Sequence, residues 1–386
     1  MIQIAQRMQK LSPNFFATLT SQIQSMQNAG LDIIRLDQGS PDLPPAPPII
    51  AELDRSAASP DAHGYQPHRG TKKMRAAWAE MYRREYSVEL DPEVEVIPLL
   101  GSKEGIFHLI TAFIDPGDVV LIPDPGYMTY THGTIIAGGE PYYFSLRPER
   151  NYLPDLREIP RDVLKKAKML WLNYPNNPTA ASATLGFFSE AVAFAREHNL
   201  LLCHDAAYGQ VTFYGKNSPS LLQVPGAKEV AVEFNTLSKS HNMPGWRVGV
   251  AAGNALAVNT LFHLKSTADS GHFQPIQDAA ILALTGDQSW LKDRNEVYRE
   301  RRDVVLHGLE KIGLKAKVPE ASIYVWSPVP KGYSSMDFVM AVLEKAQVSF
   351  TPGIIFGPGG EGYVRISLTA PKDRMAEAMQ RLAERL

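Results

Sequence analysis

Short apolar segments alternate with amphipathic segments from about residue 94 to residue 270. The apolar segments have the length of β-strands, and several of them end in turns rich in glycine, proline or asparagine. Strands that alternate with helices are typical of a mostly parallel sheet covered by helices on both faces. We therefore predict an α/β fold whose main sheet is formed by the middle of the chain.

The two ends of the chain follow a different pattern. Residues 1–47 read as a helical arm followed by a proline-rich loop, and residues 285–386 as a long amphipathic helix followed by strands and helices. A chain of 386 residues is long enough for two domains. We predict a large domain at 48–284 and a smaller α+β domain at 285–386, to which the arm 1–47 also contributes.

Composition and charge exclude several classes of protein. The chain is 44% hydrophobic and 21% charged, as in globular proteins, and its net charge of −2 gives no basic field for nucleic acid. Cys203 is the only cysteine, so an internal disulfide framework is excluded. No signal-like apolar segment and no run of 18 apolar residues occurs. We expect a cytoplasmic protein that binds neither membranes nor nucleic acid.

One segment, NTLSKSHNMPGWRVGV at 235–250, combines a lysine with an arginine. Lys239 lies between Ser238 and Ser240, and Arg247 follows after a proline–glycine turn. A lysine amine forms a Schiff base with an aldehyde when its pKa is lowered, and an arginine binds phosphate through two parallel hydrogen bonds. An aldehyde and a phosphate together describe pyridoxal 5′-phosphate (PLP). Taken alone, such a pair is more often solvated surface charge.

Further polar side chains follow the predicted strands. They lie in GSKEG, DPGY, NNPT and LLLCHDAAYG, and are Ser102, Lys103, Tyr127, Asn177, Asp205 and Tyr208. The amides of GSKEG precede a helix and would form an anion site. A carboxylate at the end of a buried strand is costly, which favours a functional role over simple helix capping.

Three candidates lie outside this central region. Arg365 interrupts the apolar strand GYVRISLT, and a buried arginine usually has an anionic partner. Gly39 lies in the loop RLDQGSPDLPPAPP, and Tyr65 begins YQPHRG. By themselves these two would be an ordinary linker residue and a core or interface aromatic.

The ordered set of segments resembles the class I and II aminotransferases, which are fold-type I PLP enzymes. The resemblance covers nearly the whole chain, and its one mild departure is Ala180, where the family's asparagine–proline motif usually continues to glycine. It implies a seven-stranded type of sheet, PLP as the cofactor, no metal, and a homodimer with shared active sites.

The resemblance also implies roles for the candidate residues. Lys239 would carry PLP and move the substrate proton, Asp205 would face the pyridine nitrogen, and Tyr208 would bond the phenolic oxygen. Tyr127 would stack on the ring. The remaining cofactor-binding residues would be Ser102, Lys103, Asn177, Ser238, Arg247 and, from the partner chain, Tyr65. Substrate would be bound by Gly39, Asn177 and Arg365.

The implied activity is transamination between an L-amino acid and a 2-oxo acid by a ping-pong mechanism. The segment DSGHFQ at 269–274 lacks the arginine that some aspartate aminotransferases supply from the partner chain. With GSKEGIFHL and DPGY, it resembles the LL-diaminopimelate aminotransferases and the nearby alanine- and methionine-type enzymes. We expect LL-diaminopimelate with 2-oxoglutarate. The alternatives are broad alanine, glutamate or aspartate transamination, a PLP carbon–sulfur lyase, and a non-enzymatic regulator with this fold.

Overall fold

The computed structural model describes residues 2–11 and 15–386. Its strands are β1 Ile34–Arg35, β2 Val96–Leu99, β3 Val119–Asp124, β4 Glu140–Ser145, β5 Ala167–Asn173, β6 Leu201–Asp205, β7 Ala231–Thr236, β8 Gly249–Gly253, β9 Tyr324–Pro328, β10 Val348–Ser349, β11 Thr351–Pro352 and β12 Tyr363–Ser367. Strands β2 to β6 precede the lysine–arginine segment 235–250, β7 runs into its start, and β8 begins at its end.

The helices are α1 Gln6–Gln9, α2 Phe15–Asn28, α3 Pro47–Ala57, α4 Lys72–Tyr86, α5 Ser102–Phe113, α6 Met128–Ala137, α7 Arg161–Leu164, α8 Leu185–Glu197, α9 Leu237–Ser240, α10 Ala255–Ala268, α11 Gln274–Thr285, α12 Trp290–Lys311, α13 Ser335–Ala341 and α14 Lys372–Arg385. The longest, α12, has 22 residues, many of them charged. Within residues 2–11 and 15–386, none of the helices combines the length and the apolar character needed to cross a membrane.

Seven strands form one sheet in the order β2-β8-β7-β6-β5-β3-β4. Only β8 is antiparallel to its neighbours, and the other adjacent pairs are parallel. The predicted mostly parallel sheet is therefore confirmed. The reversed direction of β8 was not predicted, and it arises because the chain returns beside β7 after only the four-residue helix α9 and a short turn.

The sheet is buried on both faces, as a parallel sheet between helices must be. Along β5, Met169 and Trp171 pack on the face covered by α5 and α10, whereas Leu170 and Leu172 pack on the other face. There they join Phe188 of α8. Because successive side chains alternate between two buried faces, the middle of the strand, residues 169–172, is apolar without interruption.

The two ends of the chain pack together around smaller sheets. Strands β11, β12 and β9 form an antiparallel sheet, and β1 pairs in parallel with β10, which joins the N-terminal loop to the C-terminal region. Their core includes residues of β9, α12 and α14, such as Val325, Tyr298 and Met379. The α/β fold class is confirmed, and the exact domain boundaries stay a prediction.

Strand β8 begins at a glycine that lies against the start of α5. A Cβ atom on Gly249 would lie 2.7 Å from the amide nitrogen of Ser102 and 2.9 Å from the carbonyl carbon of Gly101. Those distances are shorter than ordinary Cβ contacts, and the neighbours are backbone atoms that cannot rotate away. Glycine at 249 therefore lets the strand set the position of the helix N-terminus.

We predict that Gly249→Ala lowers the free energy of unfolding by about 1–3 kcal/mol, because an added methyl group overpacks this contact. Gly245→Ala is the matched control, since a Cβ there would have no heavy atom within 4 Å. The control should stay within about 0.5 kcal/mol of the unaltered protein in urea denaturation. Equal stability of the two variants would contradict this account of the β8–α5 contact.

Candidate active site

A cavity of about 680 Å³ lies at the carboxyl ends of the parallel strands. Ligands of open α/β sheets bind at this edge, because the strands end there and the following loops converge. The cavity is lined by all the predicted site residues except Tyr65, namely Gly39, Ser102, Lys103, Tyr127, Asn177, Asp205, Tyr208, Ser238, Lys239, Arg247 and Arg365. The structure therefore brings together residues that are separated by up to several hundred positions in sequence.

Lys239 lies in α9, immediately after β7. The hydroxyl of Thr236 accepts a hydrogen bond from the Ser238 amide at 3.1 Å, which fixes the start of this short helix. The Lys239 ammonium donates to the carbonyl oxygen of Gly39. Burial lowers the pKa of Lys239 to about 8, and the positive charges of Arg365 and Arg247 act in the same direction. The cavity thus holds a lysine that is partly neutral near physiological pH.

Asp205, at the end of β6, is the buried carboxylate of the site. The hydroxyl of Tyr130 donates to Oδ2 of the Asp205 side chain at 2.9 Å. The side-chain amide of Asn173 donates to the backbone carbonyl oxygen of Asp205 at 2.7 Å. Burial raises the pKa of Asp205, and the Tyr130 hydrogen bond opposes this shift. The Tyr130 ring is stacked on Trp171, with ring centroids 4.8 Å apart. These contacts hold the carboxylate in one orientation.

One side of the cavity is suited to an anion. Helix α5 begins at Ser102 after Gly101, which has a φ of +86° and no side-chain cap. A Cβ on Gly101 would overlap the guanidinium of Arg247. Arg247 is exposed and donates from Nη1 to the Pro244 carbonyl at 2.8 Å. Amides at a helix N-terminus beside an arginine can bind a phosphate group.

Arg365, on β12, is a buried cation on another part of the cavity wall. Its Nη1 donates to Asn177 Oδ1 at 2.9 Å and its Nη2 to the Asp37 carbonyl at 3.0 Å. Its guanidinium lies 4.2 Å from the centre of the Tyr324 ring. The Tyr324 hydroxyl is in turn hydrogen-bonded to Tyr208 at 2.9 Å. These contacts orient a planar, permanently charged group that can bind a carboxylate.

Tyr65 is the one predicted residue that does not join the others. Its side chain is 98% exposed and does not line the cavity of its own chain. Conversely, the sequence did not single out Tyr130, Tyr324, Asn173 or Arg35. The lysine–arginine segment and the polar turns after the strands gave recognisable patterns, whereas the roles of these four depend on contacts with residues far away in sequence or on strand pairing.

A separate polar cluster lies near the start of α5. The side chains of Glu104, His108 and Asp269 place one potential ligand atom each within 4.8 Å of one another. The Lys265 ammonium, however, lies 2.5 Å from Asp269 Oδ1 and 3.3 Å from Glu104 Oε1. It already supplies the positive charge that these carboxylates require, and a metal ion would compete with it.

The fold and the site define a class of enzyme. Residues 31–382 match the family described as aminotransferase class I and II, and the chain belongs to that family. It is 49% identical over 381 residues to an LL-diaminopimelate aminotransferase of Moorella thermoacetica, with 99% of this chain and 98% of that protein covered. It is also 49% identical over 378 residues to one of Desulforudis audaxviator, covering 98% and 96%.

A solved structure gives the same result for the fold. Substrate-bound BacF from Bacillus subtilis is similar to this chain with a TM-score of 0.96 at 37% identity, covering 100% of this chain and 98% of BacF. The predicted resemblance, fold class and enzyme class are therefore confirmed. Enzymes of this class act on small-molecule amino acids and oxo acids.

The lowered pKa of Lys239 implies a cost in stability. A fall from 10.5 to about 8 corresponds to roughly 3 kcal/mol against the charged form. This cost is fully present below pH 8 and is lost as the pH rises towards 10.5. We predict that Lys239→Met stabilises the cofactor-free protein by about 1–3 kcal/mol at pH 7, and by progressively less between pH 8 and 10.5.

Urea denaturation of the cofactor-free protein at several pH values measures this effect. Lys103→Met is the control, because Lys103 lines the same cavity but is exposed. It should change the free energy of unfolding by less than about 0.5 kcal/mol. A gain from Lys239→Met that is independent of pH would show that packing, not charge, is responsible.

Proposed function

We propose that this aminotransferase uses PLP to transfer an amino group from LL-diaminopimelate to 2-oxoglutarate. The observation that carries the proposal is Lys239, whose amine has a pKa of about 8 in a cavity it shares with Asp205 and Arg365. A neutral amine is required both to form a covalent link to an aldehyde and to accept a proton.

The donor set fits PLP at three separate points. Lys239 suits its aldehyde, the buried carboxylate of Asp205 suits a protonated ring nitrogen, and the α5 N-terminus with Arg247 suits its phosphate. Tyr127, half-buried and immediately before α6, offers an aromatic face. When bound, PLP would supply an electron sink that makes the Cα–H of an attached amino acid acidic.

The protein's own groups would then handle binding and the proton. Arg365 would hold the substrate α-carboxylate through a bidentate pair of hydrogen bonds, which fixes the direction of the Cα–H bond. The Lys239 amine would accept that proton from Cα as a general base. As a general acid it would then donate the proton to the cofactor carbon that had carried the aldehyde. Asp205, whose carboxylate accepts a hydrogen bond from the Tyr130 hydroxyl, would stabilise positive charge on the ring nitrogen.

The choice of substrate is supported by two observations. Relatives named LL-diaminopimelate aminotransferase are 49% identical to this chain over nearly its whole length. In addition, residues 269–274 lack an arginine. Broad use of alanine, glutamate or aspartate is the alternative among transaminations, and a carbon–sulfur lyase would use the same cofactor site with another outcome.

We further propose a cytoplasmic homodimer in which Tyr65 completes the partner's phosphate site. An aromatic side chain that is 98% exposed in one chain supports a role at a subunit interface. Phe273, 41% exposed, packs against His63, and their ring centroids are 5.6 Å apart. His63 lies two residues before Tyr65 in the sequence. The division into a large domain at 48–284 and a small domain formed by both chain ends belongs to the same proposal.

Spectroscopy tests the cofactor and the reaction together. Purified protein with PLP should show the visible absorbance of lysine-bound PLP, and LL-diaminopimelate without an oxo acid should bleach it. Lys239→Ala should lose the band and at least a thousandfold of the rate, since a positioned general base alone contributes about 10²–10⁴-fold. Ammonia release from cystathionine, without bleaching by any amino acid, would instead establish the lyase.

The dimer proposal has its own test. Tyr65→Phe should weaken PLP binding about tenfold or more, because it removes a hydrogen bond to a charged phosphate group. Tyr214→Phe is the matched control, since Tyr214 is 63% exposed and does not line the cavity. A monomer by light scattering, or equal PLP affinity in both variants, would reject the shared site.

A further inference from the structure

Arg35 is a cation in the cavity wall for which the proposed reaction so far has no use. Its side chain is 20% exposed and lines the same cavity as Lys239 and Arg365. Its Nε and Nη2 atoms each donate to one carboxylate oxygen of Asp37 at 2.7 Å. Its third nitrogen, Nη1, donates to no residue in the part of the chain that the structure describes.

Asp37 holds this guanidinium rigidly. The Asp37 side chain is only 3% exposed and accepts a further hydrogen bond from the Ser349 hydroxyl. Arg35 and Ser349 are register partners in the β1–β10 pair, so the strand pairing fixes the same geometry. A guanidinium held by a bidentate carboxylate keeps its orientation, and little conformational entropy is lost when its remaining N–H groups bind a ligand.

Asp37 also connects Arg35 to the proposed binding site of the substrate α-carboxylate. Its side chain binds Arg35, whereas its backbone carbonyl accepts a hydrogen bond from Arg365 Nη2 at 3.0 Å. The guanidinium groups of Arg35 and Arg365 are therefore bound to the side chain and to the backbone of the same residue, and both line one cavity. They are suited to two carboxylates of the same molecule, one at each end.

A purely structural ion pair gives a different arrangement elsewhere in this chain. Two nitrogens of Arg301 also donate to the two carboxylate oxygens of one residue, Asp42. However, Arg301 Nη1 additionally donates to the Leu368 carbonyl at 3.0 Å, and Arg301 does not line the cavity. Arg35 differs in its access to the cavity, since the nitrogen of Arg301 that has no partner among the described residues, Nε, is buried. Access to the cavity is not needed to join β1 to β10.

We infer that Arg35 binds a carboxylate at the far end of the substrate side chain and thereby selects amino acids with a second, distal carboxylate. The inference rests on the proposed transamination and deepens it. LL-diaminopimelate belongs to this substrate class. The absence of an arginine at 269–274 means that the second positive charge would come from the N-terminal strand of the same chain.

The test compares Arg35→Gln with the unaltered PLP-loaded enzyme. Pimelate, the diacid that lacks both amino groups, and heptanoate, the monoacid of equal length, are titrated by calorimetry. We expect the Kd of pimelate to rise about 10- to 100-fold, and to rise at least tenfold more than that of heptanoate, because one charged hydrogen-bonded contact is lost. The kcat/KM for LL-diaminopimelate should fall in the same proportion relative to alanine, mainly through KM.

Two further variants guard against a change in folding. Arg35→Gln leaves the buried Asp37 carboxylate without its cation, so Arg35→Gln combined with Asp37→Asn removes both charges and should show the same loss of selectivity. Arg55→Gln is the matched control, since the exposed Arg55 donates in the same two-point manner to both carboxylate oxygens of Glu52, on the same helix α3. It should leave both Kd values and both substrates unaffected.

Either of two results would overturn the inference. Equal changes for pimelate and heptanoate, or no change for pimelate, would mean that Arg35 only joins β1 to its surroundings. Failure of the proposed function is distinguishable, because the unaltered enzyme would then not transaminate LL-diaminopimelate. The pimelate titration would still report in that case whether Arg35 binds a distal carboxylate.

Discussion

Under the proposed function, the chemistry of this site depends on the burial of one lysine amine, that of Lys239. A lysine in water is almost fully protonated at neutral pH, whereas burial brings the pKa of Lys239 to about 8. The amine is buried by the residues that line the cavity, at the point where the parallel strands end and the loops that follow them converge. The short helix α9, started by Thr236, directs the lysine into that space. The sheet therefore places Lys239 where burial lowers the pKa of its amine, which makes that amine more reactive.

Charge in the cavity differs from charge in the molecule as a whole. The net charge of the chain is −2, yet five cationic residues and only two anionic residues line the cavity. An excess of positive charge in a concave site attracts anions and favours their binding. Under the proposed function the anions are a phosphate and the carboxylates of the amino acid. Asp205 and Asp37 then act locally, each beside one group that it orients.

The sequence predicted those parts of the site that local patterns describe. Lys239, Asp205 and Asn177 lie at the end of a strand or within four residues after it, so the pattern of strand and polar turn indicated that they share one edge of the sheet. Tyr130 could not be found in this way, since its hydroxyl meets Asp205 across 75 positions of sequence. Arg35 was also missed, because its place in the cavity depends on the pairing of two-residue strands from opposite ends of the chain.

Under the proposed function, the residues that bind the cofactor and the residues that bind the substrate come mostly from different parts of the chain. The proposed cofactor contacts come from the central sheet region, whereas Gly39, Arg365 and Arg35 come from the two ends. Of these, Gly39 and Arg365 would bind the α-carboxylate that all amino acids share, and Arg35 would contact the side chain, which differs between them. A change at position 35 could therefore alter which amino acid is accepted while Lys239 and Asp205 keep their environment. Under the proposed function, the residues of the reaction and the residue that selects the substrate would lie in separate segments, and one fold can serve different substrates in this way.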